Sequence, residues 1–212
     1  MYFVNPEDKF PPVELADEDG LLAVSTTLAV PQIKRAYLNG IFPWYNEGQP
    51  VLWWSPDPRM VLFPEDLKIA KSMKPYLNQN KFQVTFNQEF EKVIDACGRV
   101  DRKGQAGTWI TQAIKQNYLQ LHQEGWANSV EVWDHETLVG GLYGIYLKNK
   151  KMFCGESMFS KRNNASKFGF IKMVEKLKQE DIKIIDCQVY TKHLESLGAL
   201  EIDRNKFLEF LK

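Results

Sequence analysis

Phe153-Cys154-Gly155-Glu156-Ser157-Met158-Phe159-Ser160, read together with Ile182-Lys183-Ile184-Ile185-Asp186-Cys187-Gln188-Val189, is the pair of stretches that decides the fold. The first sets a carboxylate among apolar side chains, where a β-hairpin gives way to a loop and helix. The second is β-branched and of a length that suits a buried strand. Side chains alternate along a strand, so Ile185, Cys187 and Val189 share one face while Asp186 and Gln188 share the other. A proton acceptor then lies beside an amide. Two readings stay open. Asp186 can end its strand by accepting from turn amides, or it and Glu156 are buried acids with proton affinities shifted toward acid/base chemistry.

Outward from these stretches the second half of the chain is regular. Thr108 or Thr111 opens a helix with the inner stripe Ile110, Ala113, Ile114, Tyr118 and Leu121, closed by Gly125. Strands are predicted over Ser129–Trp133, Leu138–Leu147 and Lys151–Cys154, the last two joined by a Lys148-Asn149-Lys150 turn. Gly140, Gly141 and Gly144 inside the middle strand point to a bulge or to the close approach of another backbone. A helix from Ala165 to Gln179 carries Phe168, Ile171, Val174 and Leu177, and a short helix at Leu194–Leu197 stops at Gly198.

The first half is looser. A proline- and acid-rich arm precedes Gly20. A helix capped by Thr26 or Thr27 has Pro31 in its first turn, Ile33, Ala36 and Tyr37 inward and Gly40 at its end. Ser55-Pro56-Asp57-Pro58-Arg59 is a rigid bend before the strand Met60–Phe63. Lys68, Lys71, Lys74 and Lys81 make the nearest approach to a basic patch. Phe82–Phe86 alternates as a strand, and Asn87 caps a helix with Phe90, Val93, Ile94 and Cys97 inward. Arg99 to Gly107 is charged and glycine-bearing, a candidate domain junction. The order of elements is α+β: a small N-terminal α/β domain over 1–98 and a C-terminal acetyltransferase-like (GNAT-like) domain over 108–212.

Composition narrows the function classes. The 212 residues carry a formal net charge of zero, so any nucleic-acid contact must use a local patch. Cys97, Cys154 and Cys187 lack ligand spacing, as do His122, His135 and His193, and no metal site is expected. There is no long apolar run and no leader, which implies a cytoplasmic protein without a membrane segment.

Gly40-Ile41-Phe42-Pro43-Trp44, Leu52-Trp53-Trp54-Ser55-Pro56-Asp57-Pro58-Arg59, Thr108-Trp109-Ile110, Ser129-Val130-Glu131-Val132-Trp133, Leu138-Val139-Gly140-Gly141-Leu142-Tyr143-Gly144, Gly155–Ser160 and Ile185–Gln188 together resemble the leucyl/phenylalanyl-tRNA–protein transferase family. The resemblance implies transfer of Leu or Phe, and less well Met, from aminoacyl-tRNA to proteins with N-terminal Lys or Arg, marking them for degradation. No cofactor is implied. Asp186 would act as base through Gln188, and Glu156 would hold the donor amino acid or the network. Met158, Phe153, Leu142, Met173, Leu177 and Ile185 would form the donor pocket, with Trp44 and Trp109 near the terminal adenosine. Lys68, Lys71, Lys74 and Lys81 would touch tRNA, and a monomer is expected.

Two other functions compete. A coenzyme-A-dependent N-acetyltransferase on the same fold needs a glycine-rich pyrophosphate turn, and Ser157–Ser166 contains no glycine. A non-catalytic RNA-binding protein would stack bases on the tryptophans, but it leaves Glu156, Asp186 and Gln188 unexplained.

Overall fold

The computed structural model describes residues 2–100 and 108–212, so most of the expected junction Arg99–Gly107 lies outside the described residues. In chain order the elements are β1 (Tyr2–Phe3), β2 (Leu21–Ser25), α1 (Val30–Leu38), β3 (Phe42–Pro43), β4 (Val51–Trp54) and β5 (Arg59–Leu62). Next come α2 (Lys74–Asn78), β6 (Gln83–Phe86), α3 (Phe90–Gly98), α4 (Gln112–Gln123), β7 (Ala127–Asp134) and β8 (Thr137–Leu147). The chain closes with β9 (Met152–Ser160), α5 (Ala165–Gln179), β10 (Ile184–Gln188), α6 (Lys192–Ser196), β11 (Leu200–Ile202) and α7 (Arg204–Glu209).

Two sheets organise these elements: a four-stranded one in the order β1-β2-β4-β3, and a seven-stranded one in the order β11-β5-β10-β9-β8-β7-β6. The large sheet therefore takes β5 and β6 from the first 98 residues as well as the strands that follow 108. Along β8 the side chains alternate as a two-residue period requires. Tyr143, Ile145 and Leu147 join the core that includes α1, α3, α4 and the small sheet, while Leu142 faces the core built on α5. The stripe predicted for α5 is buried throughout, each such side chain contributing about 1.5–3 kcal/mol.

Strand β10 sits between β9 and β5 in the large sheet. It runs parallel to β9 only over Ile184–Asp186 against Met152–Cys154, and antiparallel to β5 on its other edge. Beyond Cys154, β9 continues beside β8 to Ser160 and β10 bends away, so a wedge opens between two neighbouring strands.

Several local expectations need correction. Glu156 lies inside β9, not on a loop, because pairing with β8 persists as far as Gly140↔Ser160. The register shifts between Tyr143 and Gly144, where a Cβ on Gly144 would meet the Cys154 carbonyl oxygen at 2.2 Å. That accounts for the glycine, and for the expected bulge and close approach together. The cap of α1 is Ala29, with no side-chain bond, and Pro31 sits in the first turn as expected. Asn87 is not the cap of α3: it turns the chain at φ +60 and its Oδ1 accepts from the Ser129 amide. Thr111 does cap α4, accepting from the Ile114 amide at 3.2 Å. The lysine-bearing residues 67–81 form short turns and the five-residue α2.

Candidate active site

The wedge between β9 and β10 is floored by a cavity of about 400 Å³. Trp44, Trp109, Leu142, Phe153, Met158, Met173, Ile185, Glu156 and Gln188 all line it, so most of the residues singled out from sequence come together at one place. Leu177 and Asp186 do not line it. Leu177 lies one turn along α5 from Met173, packed behind the wall with Phe153.

Asp186 is 1% exposed and locked to Arg59, itself 1% exposed. Arg59 Nε and Nη2 donate to the two carboxylate oxygens at 2.8 and 2.7 Å, a bidentate fork that a carboxylate matches geometrically. The guanidinium is sandwiched between Phe42 of the small sheet and Phe207 of α7, its Cζ 4.8 and 4.7 Å from the two ring centroids. A hydrogen bond from the Gln188 amide side chain to Asp186, implied by the expected pairing, is not made. The register of β10 shifts between the two residues, and Gln188 adopts φ +66. Its main-chain N–H then donates to Asp186 Oδ1 at 2.9 Å, and its side chain swings toward β9.

There the Gln188 side-chain amide donates to Glu156 Oε1 at 2.9 Å. Two buried phenols also reach Glu156. Tyr37 from α1 donates to Oε1 at 2.6 Å and Tyr118 from α4 lies 3.0 Å from Oε2, and the two phenol oxygens are 2.7 Å apart. Burial pushes the Glu156 carboxyl up to about 7, with the Asp186 charge adding to it, while any bond that Tyr37, Tyr118 or Gln188 donates to the ionised carboxylate pulls the other way. Burial, and then the Glu156 carboxyl, raises both phenols well above the usual range.

Sequence reasoning passed over other parts of the wall. Phe42, Pro43, Phe170, Val189 and Leu194 extend the apolar lining, and Thr191 and His193 stand with them. His193 is pulled down, first by burial and then by nearby Lys167, which favours the neutral imidazole. Burial and the adjacent Asp186 raise the Cys187 thiol, which serves as uncharged wall. Tyr37 and Tyr118 had been read as members of apolar helix stripes, and their hydroxyl ends were the missed signal. Lys68, Lys71, Lys74 and Lys81 are exposed, on the segment whose Met73 and Phe82 pack against Phe168 and Ile171 of α5.

The arrangement suits a reaction that buries an apolar side chain and handles a proton at its polar end. Residues 61–212 match the family described as leucyl/phenylalanyl-tRNA protein transferase, and residues 26–57 match that family's N-terminal domain. The chain is 75% identical over 211 residues to the leucyl/phenylalanyl-tRNA–protein transferase of Christiangramia forsetii, covering 100% of each. It is 54% identical over 212 residues to that of Flavobacterium johnsoniae, covering 100% of this chain and 99% of the relative. Among solved structures, L-PGS from Bacillus licheniformis superposes on 82% of this chain and 57% of its own with a TM-score of 0.43 and 10% identity.

Proposed function

We infer its reaction from one premise: the chain belongs to the leucyl/phenylalanyl-tRNA protein transferase family, and it is an aminoacyltransferase. It carries leucine or phenylalanine, and methionine less well, from aminoacyl-tRNA to the α-amine of proteins that begin with lysine or arginine, marking them for degradation. It works as a cytoplasmic monomer without a cofactor. No helix among the described residues is long and apolar enough to cross a membrane. Residues 1–98 supply a tRNA-contact face through Lys68, Lys71, Lys74 and Lys81, and 108–212 supply the chemistry.

The donor ester is already activated. The protein has to hold it against the amine, accept a proton as the C–N bond forms, and favour charge building on the ester carbonyl. The apolar cavity takes the donor side chain, with Leu142, Phe153, Met158, Met173 and Ile185 as its wall and Leu177 behind. Trp44 and Trp109 meet the terminal adenosine. Of the two acids, Glu156 is the one that reaches the cavity, so it accepts the proton, and the Gln188 amide orients the reacting groups beside it. Asp186, held by Arg59, is a positioning residue that fixes the Gln188 backbone.

One observation carries this reading: a carboxyl and an amide, bonded to each other, close one end of an otherwise apolar cavity. The test mixes the purified protein with phenylalanine-charged tRNA and a peptide beginning with lysine or arginine. Mass spectrometry should find one added phenylalanine. A peptide left unchanged by both phenylalanine- and leucine-charged tRNA sinks the reading.

A further inference from the structure

Three oxygen-to-oxygen contacts close a ring through Glu156, Tyr37 and Tyr118: 2.6 Å from Tyr37 to Oε1, 2.7 Å between the phenols, and 3.0 Å from Tyr118 to Oε2. Each is of hydrogen-bond length, so each needs a proton of its own. The two phenols own one proton apiece. With Glu156 ionised, the ring has two protons for its three contacts, and one pair of oxygens is left facing lone pair to lone pair. A protonated carboxyl supplies the third.

We infer that Glu156 is neutral in the resting protein, with its proton on Oε2, and that Tyr37 and Tyr118 are positioning residues that keep it there. The placement follows from Oε1, which already accepts from both Tyr37 and the Gln188 amide. Oε2 then donates to the Tyr118 oxygen, Tyr118 donates to Tyr37, and Tyr37 donates to Oε1, so every contact carries one proton and none is opposed.

The surroundings agree. From β10, Asp186 adds negative charge near Glu156, its fork taken up by Arg59 of β5. Cys154 of β9 is a buried, uncharged thiol, and Tyr143 of β8 presents its ring edge-on to Tyr118. Glu156 takes part in no ion pair among the described residues, and its partners are the neutral Tyr37, Tyr118 and Gln188. Transfer then runs on the ionised form reached as pH rises: once its Oε2 proton is gone, a carboxylate whose proton affinity lies near neutrality is matched to an incoming α-amine, whose own value is about 8, whereas an ordinary carboxylate is far too weak a base. This deepens the reaction proposed above and rests on it for that consequence alone.

The sign of a phenol deletion separates a closed ring from ordinary donation. If the phenols merely donate to a carboxylate, removing either one raises the Glu156 midpoint. In the closed ring, Tyr118→Phe takes from the neutral form both the acceptor of its proton and the phenol-to-phenol bond. From the ionised form it takes one bond and one repulsion. The neutral form loses more, so the midpoint falls; Tyr37→Phe acts in the same sense.

Difference infrared spectroscopy on the purified protein should show a protonated-carboxyl band at about pH 6, where an ordinary glutamate is ionised. The band should vanish in Glu156→Gln and titrate away toward alkaline pH. Tyr37→Phe and Tyr118→Phe should each lower its midpoint by about one pH unit, and the acid limb of the transfer pH profile should move with it. Absence of the band at that pH, or a midpoint raised in the phenylalanine variants, overturns the ring. A band that behaves as expected in a protein that transfers nothing overturns the proposed reaction and leaves the ring standing.

Discussion

Arg59 meets Asp186 through two hydrogen bonds, 2.8 and 2.7 Å long, with both residues 1% exposed and the guanidinium held between two phenyl rings. The pair is a buried charge system in which neither member has water to fall back on. Removing one partner leaves the other uncompensated, so Arg59→Met should cost roughly 3–5 kcal/mol of unfolding free energy in a urea titration. Replacing both residues with apolar ones should cost much less than the two single changes summed. Additive losses in that double-mutant cycle would show that the two side chains are not coupled.

Glu156 should imprint a pH dependence on stability. Its folded value, about 7, lies above the model value of 4.5, so between those limits the folded state binds more protons than the unfolded chain. Stability therefore falls as pH rises through that window and is level above it, by at most about 3 kcal/mol for this one group. Denaturation of wild type and Glu156→Gln across the window checks this. The difference between the two curves should carry the slope, and a flat difference contradicts a raised carboxyl.

Donor choice should follow the cavity wall. Met173→Phe takes up space that a donor side chain would fill, so transfer of phenylalanine should fall relative to leucine by about tenfold, the scale set by 1–3 kcal/mol of pocket contact. Leu177→Ala, behind the wall, should instead cost about 2–5 kcal/mol of stability with the donor ratio nearly unchanged. Competition between the two charged tRNAs reads both outcomes. A Leu177 variant that alters donor choice more than the Met173 variant does would place the pocket elsewhere.

The exposed lysines should act as a group and without sequence preference. Each phosphate contact contributes about 0.7–0.9 to the slope of log affinity against log salt, so replacing Lys68, Lys71, Lys74 and Lys81 with alanine should flatten that slope by up to about 3.6. Binding of uncharged tRNA over a salt series measures it. An unchanged slope would remove this face from the tRNA footprint.

What the sequence disclosed, and what it withheld, follows from the range of the interactions involved. Helix stripes such as Phe168, Ile171, Val174 and Leu177 depend on near neighbours and could be read directly. Glu156 was found, but on the wrong kind of element, because the length of β9 is set by β8 and its bulge at Gly144. The two-residue period placed Asp186 and Gln188 side by side; a register shift defeats that period, and nothing in the local sequence announces it. Tyr37 and Tyr118 lie 119 and 38 residues from the carboxyl they contact, and each looks like an apolar stripe member until the fold turns its hydroxyl inward. Arg59 read as the end of a stiff bend, since its partner stands 127 residues away. The Arg99–Gly107 junction was expected from charge and glycine alone, and two strands that precede it belong to the large sheet.

The polar end of the cavity and its supports come from α1, β5, α4, β9 and β10, and α7 adds the ring of Phe207 over Arg59. A polypeptide still emerging from the ribosome lacks the last of these pieces until Phe207 has been made. Domains generally fold as units once their chain is out. A newborn copy should therefore stay without its complete cavity supports until α7 has emerged.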